Sequence, residues 1–364
     1  MCPAEVREFR DVTQSWRRVR PGRRPRAADL GMAPVTHWLK TEDFETARRH
    51  VAPRVHRTPL LSFRTLGRAN GTNPWLKCEN LQKTGSFKVR GALNAIASLS
   101  GLEKRRGVIT VSAGNHAQAV AWAARRAGTR AVVVMPEGAS RSKAAAATGY
   151  GAEVVLHGTA DQAFREARRL ADEQALTFLH PFDAAPVIAG HGSAGLEVAE
   201  DLRGEAVIVV PVGGGGQIAG IAGALAATGR LSGRERMRVV GVEPEGAPAM
   251  RRSLDRGRAA TLESTDTIAD GLAAPMAGEL NYRYVAEFVE DVVLVSDEEI
   301  LSAMRLLLTR AGLVAEPAGA AAVAALMCGR VPVSPGEAVV ALVSGGNVDE
   351  GMIVRALGEG TPWP

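Results

Sequence analysis

From Gly107 onward the sequence alternates short apolar runs with segments of helical period, and this alternation limits the possible folds more than any other feature. Apolar runs at 108–111, 131–135, 153–156 and 177–179 are separated by helical patterns at 115–127, 140–150 and 160–174. A second series follows, with strand-like runs at 206–211, 239–243, 292–295 and 338–343 and helical patterns at 217–227, 297–310 and 316–328. Strands joined through helices pair in parallel, and a parallel sheet needs helices on both faces. The expected fold class is therefore α/β, with two doubly wound open-sheet domains. Residues 107–183 form the smaller one. Residues 36–106 and 184–364 combine into the larger, beginning with an N-capped helix from Thr41 to about His50. A chain of 364 residues is long enough to give each a core.

The segment before these domains, 1–35, reads as a disordered basic extension. Its first 30 residues hold eight arginines against Glu5, Glu8, Asp11 and Asp29. The formal charge of the whole chain is +5, so the body is close to neutral and lacks the basic footprint of a nucleic-acid or membrane-surface binder. Aromatic residues make up only 4%, too few for platforms that stack unpaired bases. The extension has no apolar stretch for a secretory signal, its acidic residues argue against a transit peptide, and Met32 is a candidate translation start. No apolar run reaches membrane-spanning length. Cys2, Cys78 and Cys328 show neither metal-ligand spacing nor a disulfide framework, and the seven histidines are scattered. These readings place the protein in the cytoplasm, with small molecules as its partners.

Within the body, lysine is rare: only Lys40, Lys77, Lys83, Lys88, Lys104 and Lys143 occur among 44 basic residues. Arginine stays protonated, whereas a desolvated lysine can lose its proton and form an imine. Lys88, in Thr84-Gly85-Ser86-Phe87-Lys88-Val89-Arg90-Gly91, sits where a glycine turn and the small polar Ser86 open an amphipathic run from 86 to 99. A helix N-terminus disfavours its positive charge, although a solvated helix-start lysine fits the same pattern.

Three loops extend this chemistry. Gly213, Gly214, Gly215 and Gly216, followed by Gln217, stand between a strand and a helix. Their amides can turn towards an anion at the helix start, a phosphate cradle that is neither GxGxxG nor a Walker loop. Ser112-Ala113-Gly114-Asn115-His116 also joins a strand end to a helix and offers donors suited to a carboxylate, or simply an N-cap. Ser344-Gly345-Gly346-Asn347 puts a hydroxyl at the carboxyl edge of the last strand, where open α/β sheets bind ligands. Glu243-Pro244-Glu245 offers two carboxylates, too few for a closed metal site. Pyridoxal phosphate unites these features. It brings an aldehyde for Lys88, a phosphate for the glycines and a ring nitrogen for Ser344.

The same residues resemble a known family. Ser86-Phe87-Lys88-Val89-Arg90-Gly91-Ala92, Ser112 to Gln118, Gly213 to Gly216, Glu316-Pro317-Ala318-Gly319-Ala320 and Ser344 to Asn347 are similar to motifs of the serine/threonine dehydratases. These are pyridoxal-phosphate enzymes of fold type II, the tryptophan synthase β-like group, which includes serine racemase. The likeness runs from about Thr58 to Asp349 and is strongest to threonine dehydratases without a regulatory domain. It implies that Lys88 carries the cofactor as a Schiff base and removes the substrate's α-proton. Phe87 and Asn115 would contact the ring, Asn115 at its 3'-hydroxyl; Gly213, Gly214, Gly215, Gly216 and Gln217 would hold the phosphate; Ser344 would bond the ring nitrogen. Ser86, Ser112, Asn115 and His116 would bind the substrate. A homo-oligomer, dimer or tetramer, is also implied.

The resemblance leaves a choice of reaction, which the residues narrow. A serine at the ring nitrogen does not enforce a protonated ring, so expulsion of a β-hydroxyl competes well with reprotonation. Racemisation needs a second acid/base, and the serine that supplies it in serine racemase is Ala113 here. The expected activity is β-elimination of water from L-threonine, L-serine or a related β-hydroxy amino acid, giving a 2-oxo acid and ammonia. The alternatives are an amino-acid racemase and, further off, a non-catalytic cofactor-binding protein. Gln217 departs from the family's leucine, and His191-Gly192-Ser193 stands where Gln-Gly-Thr is usual. At the racemase-like cation site Glu243 and Ala247 match but Ala249 replaces a carboxylate, so no metal is expected. With few residues after Ser344, a C-terminal regulatory domain and feedback inhibition by isoleucine are not expected.

Overall fold

Two sheets, of six strands and four, organise the computed structural model, which describes residues 38–70, 72–334 and 337–362. The basic extension expected over 1–35 and the candidate start at Met32 lie outside the described residues. In chain order the first elements are α1 (Thr41–Val51), β1 (Leu60–Ser62), α2 (Arg64–Asn70), β2 (Asn73–Cys78), α3 (Lys88–Ala97) and α4 (Gly101–Arg106). Then come β3 (Val108–Val111), α5 (Asn115–Arg126), β4 (Ala131–Met135), α6 (Arg141–Gly149), β5 (Glu153–Leu156), α7 (Ala160–Glu173) and β6 (Thr177–Phe178). The chain continues with α8 (Ala185–Asp201), β7 (Ala206–Pro211), α9 (Gly216–Ala227), β8 (Met237–Pro244), α10 (Ala249–Arg256) and α11 (Glu279–Phe288). It closes with β9 (Asp291–Val295), α12 (Asp297–Leu306), α13 (Pro317–Met327), β10 (Ala338–Val343) and α14 (Glu350–Glu359).

The larger sheet runs β1-β2-β10-β7-β8-β9 and the smaller β5-β4-β3-β6. Every pairing is parallel except β1 with β2, whose register sets Leu61 opposite Leu76. The period of two explains the layers. Val207 and Val209 join a core with α12 and α13, whereas Ile208 and Val210 join one with α9 and α11. In the smaller sheet Val133 packs with α3 and α5, while Val132 and Val134 pack against α7. Both sheets are thus covered on both faces, as the alternation requires.

Two strands escaped the sequence pattern. β1 and β2 lie between Pro59 and a charge-bearing stretch, and Lys77 and Glu79 break the apolar run there. Both prove to be fully buried and ion-paired. Some boundaries also move. The helix expected over 86–99 starts at Lys88, and the one expected over 297–310 ends at Leu306, where a wider turn covers Leu307–Ala311 before left-handed Gly312.

Candidate active site

Successive strands of both sheets end at one cavity of about 410 Å³. Its walls come from the start of α3, the β3–α5 loop, the β7–α9 loop, residues 270–275, Glu316 and the end of β10. This is the carboxyl edge of parallel strands, where helix N-termini converge and ligands bind.

Lys88 opens α3 behind Phe87, which occupies the N-cap position without a side-chain bond. Ser86 is therefore not the helix cap. Its backbone bridges Gly345, and its fully buried hydroxyl has no partner. Phe87 N–H donates to the Ser344 carbonyl at 3.1 Å, so the lysine loop and the end of β10 are stitched together. The half-buried Lys88 amine approaches the Pro181 carbonyl at 3.4 Å and lies 5.0 Å from the centroid of the Phe87 ring. Burial lowers its pKa to about 8, with Glu316 opposing that shift. No carboxylate lies within ion-pair distance of it among the described residues.

The glycine loop forms a cradle that side chains would fill. A Cβ on Gly214 would sit 2.5 Å from the Phe182 ring, and Gly215 adopts a left-handed φ of 93° as the N-cap of α9. Among the described residues no protein acceptor takes the N–H groups of Gly214, Gly215, Gly216 or Gln217. These are the open donors of a helix start, where the dipole favours an anion. Gln217 is buried with both side-chain polar atoms unpartnered. Buried amide groups are normally bonded, so this one is set up for a ligand.

On the opposite wall, Ser112 accepts from the Gly114 N–H at 3.1 Å, which leaves its own hydroxyl hydrogen free. His116 turns the other way. Its Nε2 lies 3.1 Å from Thr110 Oγ1, and Thr110 donates its single proton to the Leu179 carbonyl at 2.7 Å. Nε2 must therefore carry hydrogen, and burial, with the nearby positive Lys88, holds the ring well below the usual histidine range. Asn115 faces the cavity between Glu316 and Asn347, at 2.6 and 2.8 Å. The Ser344 hydroxyl reaches the Ala318 carbonyl at 3.3 Å, long for such a bond.

Of the residues singled out in the sequence, Phe87, Lys88, Ser112, Asn115, His116, Gly213, Gly214, Gly215, Gly216, Gln217 and Ser344 line this one cavity; Ser86, fully buried, does not. Glu316, Lys143, Phe182 and Asp270 also line it and carried no role in the sequence. Glu316 stood in view within Glu316-Pro317-Ala318-Gly319, but there it reads as a helix start. Glu243 lies elsewhere, and its carboxylate accepts the N–H groups of Met250 and Arg251 at 2.7 and 2.8 Å.

Comparison with known proteins gives a consistent picture. A family profile described as "Pyridoxal-phosphate dependent enzyme" matches residues 51–345. The chain is 45% identical over 323 residues to the L-threonine ammonia-lyase of Thermotoga maritima, covering 88% of this chain and 79% of that enzyme. Among solved structures, a threonine deaminase from T.th. matches at a TM-score of 0.78 and 43% identity, over 85% of this chain and 99% of that one. Maize serine racemase matches at 0.81 and 34% identity, over 88% and 97%.

Proposed function

The chain belongs to the pyridoxal-phosphate-dependent enzyme family, and on that premise we propose that it is an ammonia-lyase removing water from L-threonine or L-serine to give a 2-oxo acid and ammonia. The convergence of Lys88, the open glycine amides and Ser344 on one cavity carries this reading.

The residues fit the cofactor on their own chemistry. Orphaned amides and the unpartnered Gln217 match a phosphate, a neutralisable lysine matches an aldehyde, and a loosely bonded serine hydroxyl matches a ring nitrogen. When bound, pyridoxal phosphate supplies that aldehyde and an electron sink for negative charge at the substrate α-carbon. Lys88 would be the attachment point, and its free amine would take the substrate's α-proton. Its depressed pKa suits it to that work, because a base near the operating pH is both available and strong. Gly213, Gly214, Gly215, Gly216 and Gln217 would hold the phosphate, Phe87 and Asn115 would contact the ring, and Ser344 would meet the ring nitrogen. Ser112 and the amides at the start of α5 receive the substrate carboxylate, with Ser86, Asn115 and His116 beside them. For His116 the ring geometry favours its backbone N–H as the donor, since the imidazole is spent on Thr110.

Ser344 is a neutral group and does not enforce a protonated ring, which favours expulsion of the β-hydroxyl. Ala113 lines the cavity with a methyl side chain that is neither acid nor base, which argues against racemisation. A panel of β-hydroxy amino acids, read by 2-oxo acid release and chiral analysis, tests the assignment. Threonine and serine should yield oxo acids, and Lys88→Ala should abolish turnover; D-serine formed without pyruvate would overturn it. We also infer a homo-oligomeric cytoplasmic enzyme, checked by light scattering and fractionation. The division into 107–183 and the remainder rests on the two separate sheets.

A further inference from the structure

Glu316 occupies the N-cap position of α13, yet its side chain makes no capping bond. Its Oε1 instead accepts from Asn115 Nδ2 at 2.6 Å, and Oε2 takes no hydrogen bond among the described residues. The contact is built for. A Cβ on Gly345 would collide with Oε1 where it now stands, so the glycine leaves the carboxylate its present place, and the Glu316 N–H donates to the Gly345 carbonyl at 3.1 Å.

The polarity of this contact follows from its neighbours. Asn347 Nδ2 gives one hydrogen to the Thr84 carbonyl and the other to Asn115 Oδ1, each at 2.8 Å. A backbone carbonyl only accepts, so the Asn347 amide has one possible orientation. Asn115 must then show its oxygen to Asn347 and its nitrogen to Glu316. One Nδ2 hydrogen is used there, and the other has no protein acceptor on a residue that lines the cavity.

We propose that Glu316 is a positioning residue: as a carboxylate it holds the Asn115 amide so that the free hydrogen is donated to the phenolic oxygen of the cofactor ring. This rests on the pyridoxal-phosphate reading above. The hold is titratable. Burial pushes the Glu316 carboxyl up to about 7, aided by Asp270 and opposed by the Asn115 bond and by the cations Lys143 and Lys88. A charged acceptor bonds about twice as strongly as a neutral one, so proton uptake by Glu316 loosens Asn115.

The test uses holoenzyme and reads the visible absorbance of bound pyridoxal phosphate across neutral pH, alongside kcat with threonine. Wild type should show a spectral step near the Glu316 titration. Glu316→Gln should bind cofactor but lose that step and about tenfold in kcat, as for one charge-assisted bond, and Glu316→Asp should recover part of both. Asn347→Asp, which sets an acceptor against Asn115 Oδ1, should lose the step too and serves if Glu316→Gln does not fold. A pH-dependent spectrum identical to wild type in the variants would overturn the positioning role. A wild-type protein with no visible band would instead overturn the cofactor reading beneath it.

Discussion

At the scale of single residues, the site depends on an amine kept out of water. An ordinary lysine has a pKa of 10.5, whereas burial brings Lys88 to about 8. Only the neutral amine attacks an aldehyde. Attachment of pyridoxal phosphate to cofactor-free enzyme should therefore accelerate as pH rises and reach half its plateau near pH 8. Stopped-flow absorbance would check this, and a midpoint at the ordinary lysine value would show that burial has no such effect. Lys88, the glycines and Ser344 were legible in the sequence because their residue types state their chemistry: a lone amine, a run without Cβ atoms, a hydroxyl at a strand end. Glu316 was not, since a glutamate before Pro317 reads as the opening of a helix. Only the fold brings it to Asn115 across 201 positions of chain.

Elements show the same division between local pattern and long-range pairing. Helices α5, α6 and α7 and strands β3, β4 and β5 follow from local pattern: α7 buries the stripe Ala163, Ala167 and Ala171, while β4 is a short apolar run buried throughout. Strand β2 does not, for its Lys77 and the following Glu79 read as surface charges. In the fold they join Arg90 of α3 and Glu197 of α8 in a buried cluster. Arg90 bonds both oxygens of Glu79 at 2.7 and 2.8 Å and both of Glu197 at 2.7 and 2.9 Å, while Lys77 meets Glu197 at 2.6 Å. Two cations face two anions, so the cluster is neutral as a whole and only as a whole. Because Arg90 stands one turn or less from Lys88, the cluster also fixes the helix that presents the amine. Arg90→Leu would leave two carboxylates with one cation. Breaking such a buried set costs about 3–5 kcal/mol, which urea unfolding would register as a fall in midpoint. An unchanged midpoint would mean that water or rearrangement neutralises the stranded charge.

Across the whole molecule, the cavity is where the two sheets' loops meet, and direct bonds between its walls include Asn115 to Glu316 and Asn347 at 2.6 and 2.8 Å. The cross-cavity ion pair of Lys143 on α6 with Asp270, at 2.9 Å, has side chains 27% and 75% exposed. A pair so exposed contributes no more than about 1 kcal/mol. A ligand touching both walls has far greater leverage. The glycine loop and Ser344 extend from β7 and β10 of the larger sheet, whereas Ser112 to His116 extend from β3 of the smaller one and Lys88 opens α3, which packs on that smaller sheet. Binding that requires both walls stabilises their joint arrangement by RT ln(1 + [L]/Kd), about 2.7 kcal/mol at a hundredfold excess over Kd. Removing pyridoxal phosphate should therefore lower the calorimetric midpoint of both sheets together. Hydrogen exchange should show faster opening in β3–α5 as well as in β7–α9. If exchange rose only around β7–α9, the β3–α5 wall would not share in cofactor binding, and the contact assigned to Asn115 would have to be given up.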